Sequence, residues 1–137
     1  RGEAVKTLYR LLLVAILVTI WVLSDDPAPT LLPPLFPYQD KLLHFLEYAA
    51  LGFATGLNLD LFRRSRAAAL AFGVIWAGLD EVHQSFVPGR DCSIGDFLAD
   101  CAGLAGGFAL CILMARRTGR LRIVELMFRK KRNESGY

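Results

Sequence analysis

Four apolar stretches alternate with short polar connections along the chain, and their lengths predict helices of membrane-spanning size. The first runs from Leu8 to Leu23, LYRLLLVAILVTIWVL, broken chiefly by Arg10, Thr19 and Trp21. At ~1.5 Å per residue it is barely long enough to cross ~30 Å of hydrocarbon, with Arg10 and Trp21 placed to anchor at the two interfaces. Residues 8–24 are therefore read as the first span. The apolar core of a signal peptide fits the same stretch, but no small-x-small cleavage site leads into a soluble domain. The next segment, residues 25–39, holds five of the six prolines and is expected as a loop. Leu31, Leu32, Leu35 and Phe36 make this an apolar loop that lies against the interface or over the helix ends.

The other three stretches differ from the first because polar residues recur in them at helical spacing. In the second span, 40–59, Asp40, His44, Glu47, Tyr48, Leu51 and Thr55 fall on one stripe at 100° per residue. The third, 67–87, is apolar for thirteen residues before Asp80. Gly73, Ala77, Asp80 and Gln84 then share a face, with Glu81 at its edge, and Pro88-Gly89 ends the helix. The fourth, 95–115, aligns Asp96, Asp100, Gly103 and Gly107, and Gly103-x-x-x-Gly107 is a spacing that lets helix backbones touch. Ionisable groups in such helices face the bundle interior, because exposing one to lipid costs roughly 2.5–3.5 kcal/mol on insertion scales. The expected fold is thus all-α: a polytopic membrane protein whose transmembrane domain, residues 1–115, is a four-helix bundle, followed by a basic tail, residues 116–137.

Composition agrees, since 54% hydrophobic residues in a 137-residue chain exceeds what a soluble domain of this size carries. Cys92, Cys101 and Cys111 have no CxxC spacing and read as small packing residues. The net charge of +3 hides an asymmetry. Fourteen of the sixteen Lys and Arg residues lie within the first ten residues, between the second and third spans, or in the tail; only Lys41 and Arg90 lie elsewhere. The positive-inside rule then puts both termini in the cytoplasm. The tail interleaves arginines with Leu121, Val124, Leu126, Met127 and Phe128, a pattern suited to an interfacial helix on anionic lipid rather than to nucleic acid.

That orientation gathers the polar groups at one depth. Asp40, Lys41 and His44 start span two, Asp80, Glu81 and Gln84 end span three, and Asp96 and Asp100 start span four, all within about 10 Å of the outer ends. Arg90 sits in the short loop above them. A channel or proton relay needs polar residues at successive depths, and the inner halves offer almost none. The expected site receives something from the outer leaflet or the wall-facing space. Adjacent buried acids with a nearby histidine suit general acid/base chemistry, giving His44, Asp80, Glu81 and Asp96 as catalytic candidates. Asp40, Lys41, Tyr48, Gln84, Arg90 and Asp100 are candidates for substrate binding, with Arg90 able to hold a phosphate or carboxylate through two parallel donors. Three alternatives stay open: a non-catalytic binding or shielding protein, a divalent cation held by a subset of His44, Glu47, Asp80, Glu81 and Asp96, and a polar network that only fixes helix packing.

The joint pattern Asp40-Lys41-x-x-His44-x-x-x-Tyr48, then Asp80-Glu81-x-x-Gln84-x-Phe86-x-Pro88-Gly89-Arg90, then Asp96 with Gly103-x-x-x-Gly107, resembles the VanZ family of small bacterial membrane proteins. The resemblance spans Asp40 to Gly107 and marks Asp40, Lys41, His44, Tyr48, Asp80, Glu81, Gln84, Arg90 and Asp96. It implies a link to resistance against the glycopeptide teicoplanin and implies no particular reaction. One departure is Asp100, which stands where the family commonly has Asn.

Overall fold

Leu13, Ile20, Tyr48, Leu51, Ala54, Ala77 and Leu104 meet in the centre of four packed helices, and their stripes set how the helices face one another. The computed structural model describes residues 2–25, 35–90, 92–117 and 119. The helices are α1 (Gly2–Ser24), α2 (Gln39–Leu57), α3 (Arg66–Gln84) and α4 (Ile94–Arg117), with no strand among the described residues. The expected four helices are all present, each within a few residues of its expected limits except at the start of α1, which begins six residues earlier, at Gly2. Most of the proline-rich loop, and the tail beyond Arg117 apart from Gly119, lie outside the described residues.

Only two of the four helices, Glu3–Ser24 and Ile94–Arg117, are long and apolar enough to cross a membrane by length and composition. The expectation of four spans is met to that extent. α2 and α3 are each 19 residues, and they carry most of the ionisable stripe. Their outer faces are nonetheless apolar: Leu42, Phe45 and Leu46 on α2, and Val74, Ile75, Leu79 and Val82 on α3, are exposed.

The α2–α4 pair is the closest in the bundle. A Cβ added at Gly103 would collide with the Phe45 carbonyl, one at Gly107 with the Ala49 carbonyl, and one at Gly52 with the Leu104 carbonyl. Backbone therefore lies directly against backbone along this seam, the packing that the small-residue spacing predicts. Gly73 on α3 makes room in turn for the Leu104 side chain. In α1, the Thr7 and Thr19 hydroxyls donate to the carbonyls of Glu3 and Ala15 within their own helix, at 3.0 and 2.8 Å. Neither polar group then needs a partner in the surroundings.

The ends of the helices are fixed by local signals. Ser65 caps α3, its Oγ accepting from the Ala68 N–H at 3.1 Å. Pro88 and Gly89 follow α3, and Gly89 takes φ of 86°, which turns the chain back toward α4 at little cost. At the opposite end Asn58 closes α2, its Nδ2 donating to the carbonyls of Tyr9 and Ala54, both at 2.9 Å. This links α1 to α2 there, and the exposed Arg10–Asp60 pair at 3.3 Å lies nearby.

Candidate functional site

Because successive helices run in opposite directions, the C-termini of α1 and α3 and the N-termini of α2 and α4 meet at one end of the bundle. The polar residues that the three stripes place there are buried: His44, Asp80, Glu81, Gln84, Asp96 and Asp100. Asp80 and Asp100 are almost fully shielded, at 1% and 0% exposure.

These residues form three connected groups. At the mouth, Lys41 Nζ donates to Asp96 Oδ1 at 2.8 Å and to Asp40 Oδ2 at 3.2 Å, with Asp40 the more exposed partner. On one side below it, Asp80 accepts from Ser24 Oγ at 2.6 Å and from Gln84 Nε2 at 3.3 Å. Gln84 Nε2 also donates to Ser24 Oγ at 3.2 Å, which joins the three side chains in a closed ring across α1 and α3. On the other side, His44 Nδ1 lies 3.0 Å from Asp100 Oδ1, both buried, linking α2 to α4. Glu81 completes the set by accepting the Ser93 N–H at 2.8 Å through Oε2.

Single ligand atoms of His44, Glu81 and Asp100 lie within 4.8 Å of one another. Of the residues expected as hard ligands, the structure therefore brings together His44 and Glu81, adds Asp100, and engages Asp80 and Asp96 with other partners. Glu47 is half-buried on the same helix face as His44. Tyr48 is fully buried with its hydroxyl close to the Asp80 carboxylate, though no hydrogen bond of good geometry reaches that hydroxyl among the described residues.

Arg90 is half-buried, and its Nη2 donates to the Leu23 carbonyl at 2.8 Å. That carbonyl belongs to the last turn of α1, where no intrahelical N–H is available, so the guanidinium caps the helix as well as standing above the acids. No ion pair joins Arg90 to Glu81 among the described residues. Asp91, the other acid near it in sequence, lies outside those residues.

Sequence reasoning missed Ser24, the Ser93 N–H and the Trp21–His83 pair. Ser24 is 2% exposed and is the only hydroxyl in the otherwise apolar last turn of α1, which is the signal that marks it. Trp21 stacks on His83 with ring centroids 4.2 Å apart and planes 23° apart. Cys92 is at the exposed rim beside Glu81. Its thiol is held above the ordinary cysteine pKa, first by desolvation and then by the Glu81 carboxylate, so it is a poor nucleophile at neutral pH.

Chemically, the site concentrates negative charge. Asp80, Glu81 and Asp100 lie within electrostatic reach of one another, and none pairs with a Lys or Arg among the described residues. Buried charge without a counter-charge is costly, and a shared proton or a bound cation relieves it. Such a cluster is suited to exchanging protons with a bound substrate. In the comparisons with known proteins, a model of the family described as VanZ/LLP1 matches residues 5–115. No curated protein and no solved structure matches the chain.

Proposed function

Starting from the fact that the chain belongs to the VanZ/LLP1 family, and is a membrane protein on that ground and by its apolar helices, we propose that it acts on an outer-leaflet lipid or lipid-linked wall precursor by acid/base chemistry. The observation that carries this reading is the burial of a histidine and of three carboxylates, Asp80, Glu81 and Asp100, that have no Lys or Arg partner among the described residues, from three helices at a single end of the bundle. A polar network needed only for packing gains nothing from acids without counter-ions. Asp80, fixed by Ser24 and Gln84, is the proton-accepting group. His44, oriented through Nδ1 by Asp100, is its partner on the far wall. Lys41 and Arg90 stand nearer the mouth, where they recognise an anionic head group.

The topology that goes with this reading has four spans and both termini in the cytoplasm. It is supported by the apolar outer faces of α2 and α3 and by the distribution of Lys and Arg. The site then opens to the outer leaflet, and the link to teicoplanin resistance is explained as a change made to envelope material on that side. A cysteine at position 34, after removal of the native cysteines, reacts with an impermeant thiol reagent from outside, and one at position 65 does not; reversed labelling overturns the orientation.

The partly exposed bridge of Lys41 between Asp40 and Asp96 favours one alternative, a non-catalytic protein that binds or shields an anionic envelope ligand. Purified protein in proteoliposomes, supplied with lipid-linked wall precursor, separates the two. Product formed by the wild type and not by Asp80→Asn supports catalysis. Saturable binding without product leaves the shielding role.

A further inference from the structure

We propose that His44, Glu81 and Asp100 form a binding site for one divalent transition-metal ion. The proposal deepens the acid/base reading above and rests on it only for what the ion would serve. Three features of the site point the same way.

First, the three residues present their ligand atoms within 4.8 Å of one another, from α2, α3 and α4, with all three side chains buried. Second, one oxygen on each acid is left over. Glu81 Oε1 and Asp100 Oδ2 are buried and accept no hydrogen bond, on residues 4% and 0% exposed. Their other oxygens are engaged, by the Ser93 N–H and by His44. A carboxylate oxygen is an acceptor only, and besides the Ser93 N–H just the Cys92 thiol, a weak donor, reaches the Glu81 carboxylate among the described groups, while nothing supplies Asp100 Oδ2. Third, the charge does not balance, because neither acid has a Lys or Arg partner among the described residues. A divalent cation answers both deficits together.

The donor set selects the ion class. One imidazole nitrogen and two carboxylate oxygens suit zinc or manganese, whereas calcium takes six to eight oxygens and magnesium keeps several waters and avoids imidazole. With an ion in place, His44 becomes a ligand. Asp80, held separately by Ser24 and Gln84, remains as the proton-transfer group. Ser93, whose backbone N–H holds Glu81, fixes that ligand from the α3–α4 connection.

The full chain without an affinity tag, stripped with chelator in detergent, is titrated with zinc chloride and with manganese chloride. The expected result is one equivalent of one metal per chain, accompanied by a rise in Tm. X-ray absorption on the loaded protein then shows a nitrogen/oxygen shell that includes one imidazole and no sulfur. Glu81→Gln and His44→Ala weaken binding at least about tenfold and abolish the metal-dependent rise in Tm. Metal-free Glu81→Gln remains as stable as the metal-free wild type, because the substitution removes an uncompensated charge. Asp60→Asn, at the other end of the bundle, binds as wild type. Absence of saturable binding by either metal overturns the proposal, as does unchanged affinity in Glu81→Gln or a sulfur shell that places the ion on cysteine. Turnover is measured separately: metal binding without product refutes the catalytic reading and leaves the site standing, whereas product formed by a protein that binds neither metal refutes the site and leaves the catalytic reading.

Discussion

The two ends of the bundle are built on opposite principles. At the end near Asn58, the buried polar groups are few and satisfied, with Asn58 bonding two carbonyls and Thr55 one, and the charged groups, the Arg10–Asp60 pair among them, are exposed to solvent. At the end near Asp80, acids are buried in excess of their partners, and Glu81 and Asp100 each keep an oxygen that no hydrogen bond of good geometry reaches among the described residues. One end closes the bundle, whereas the other holds charge that packing alone does not explain. The difference teaches that polarity within a membrane helix is informative when it is unsatisfied, because satisfied polarity is what any helix end requires.

The comparison is broken most severely through the seam that supports both ends. Gly103→Leu places a side chain into the Phe45 carbonyl, and the α2 and α4 backbones have no flexible group to yield. A loss of at least about 3 kcal/mol is expected, near the upper part of the range for overpacking. Thermal unfolding in detergent measures it, and a folded variant of near-normal Tm means that the seam is looser than described.

A smaller effect, confined to the polar end, comes from Ser24→Ala. Asp80 loses its 2.6 Å donor and keeps Gln84, so stability is expected to fall by about 1–2 kcal/mol. Turnover falls with it, because the carboxylate is less firmly placed. A variant with full activity separates Ser24 from the site. Arg90→Lys is expected to change Tm little, since an ammonium can still donate to the Leu23 carbonyl, but to lose most function if the guanidinium also holds an anionic head group. Wild-type function in Arg90→Lys reduces Arg90 to a helix cap. At the bottom of the scale, Asp60→Asn breaks an exposed pair and should cost no more than about 0.2–1 kcal/mol, with function intact.

Much of this arrangement is legible in the sequence, for a physical reason. Helical periodicity records which face is buried, so spacing alone turns His44, Tyr48 and Thr55, then Asp80 and Gln84, then Asp96, Asp100, Gly103 and Gly107 inward, and all are buried. Periodicity says nothing about which residue meets which across helices. The partnership of Asp80 with Ser24, of Glu81 with the Ser93 backbone and of Arg90 with the Leu23 carbonyl depends on how the connections return, and none of it is written in spacing. Asp100 illustrates both halves of the lesson. Its burial comes from its stripe, whereas its contact with His44 and its proximity to Glu81 require three helices to be assembled. The hydropathy of α2 and α3 is harder to read for the same reason, because the stripe that builds the site also lowers their apolar character.

The central claim is that the buried acids and histidine serve chemistry rather than packing. The direct measurement is the turnover of lipid-linked substrate by Asp80→Asn, Glu81→Gln and His44→Ala, set against the amount of each variant folded in the membrane. The claim predicts that all three lose turnover while their abundance, and their thermal unfolding compared in the metal-free state, stay near those of the wild type. Loss of turnover in proportion to loss of folded protein, in all three, would contradict it and make the cluster a packing device.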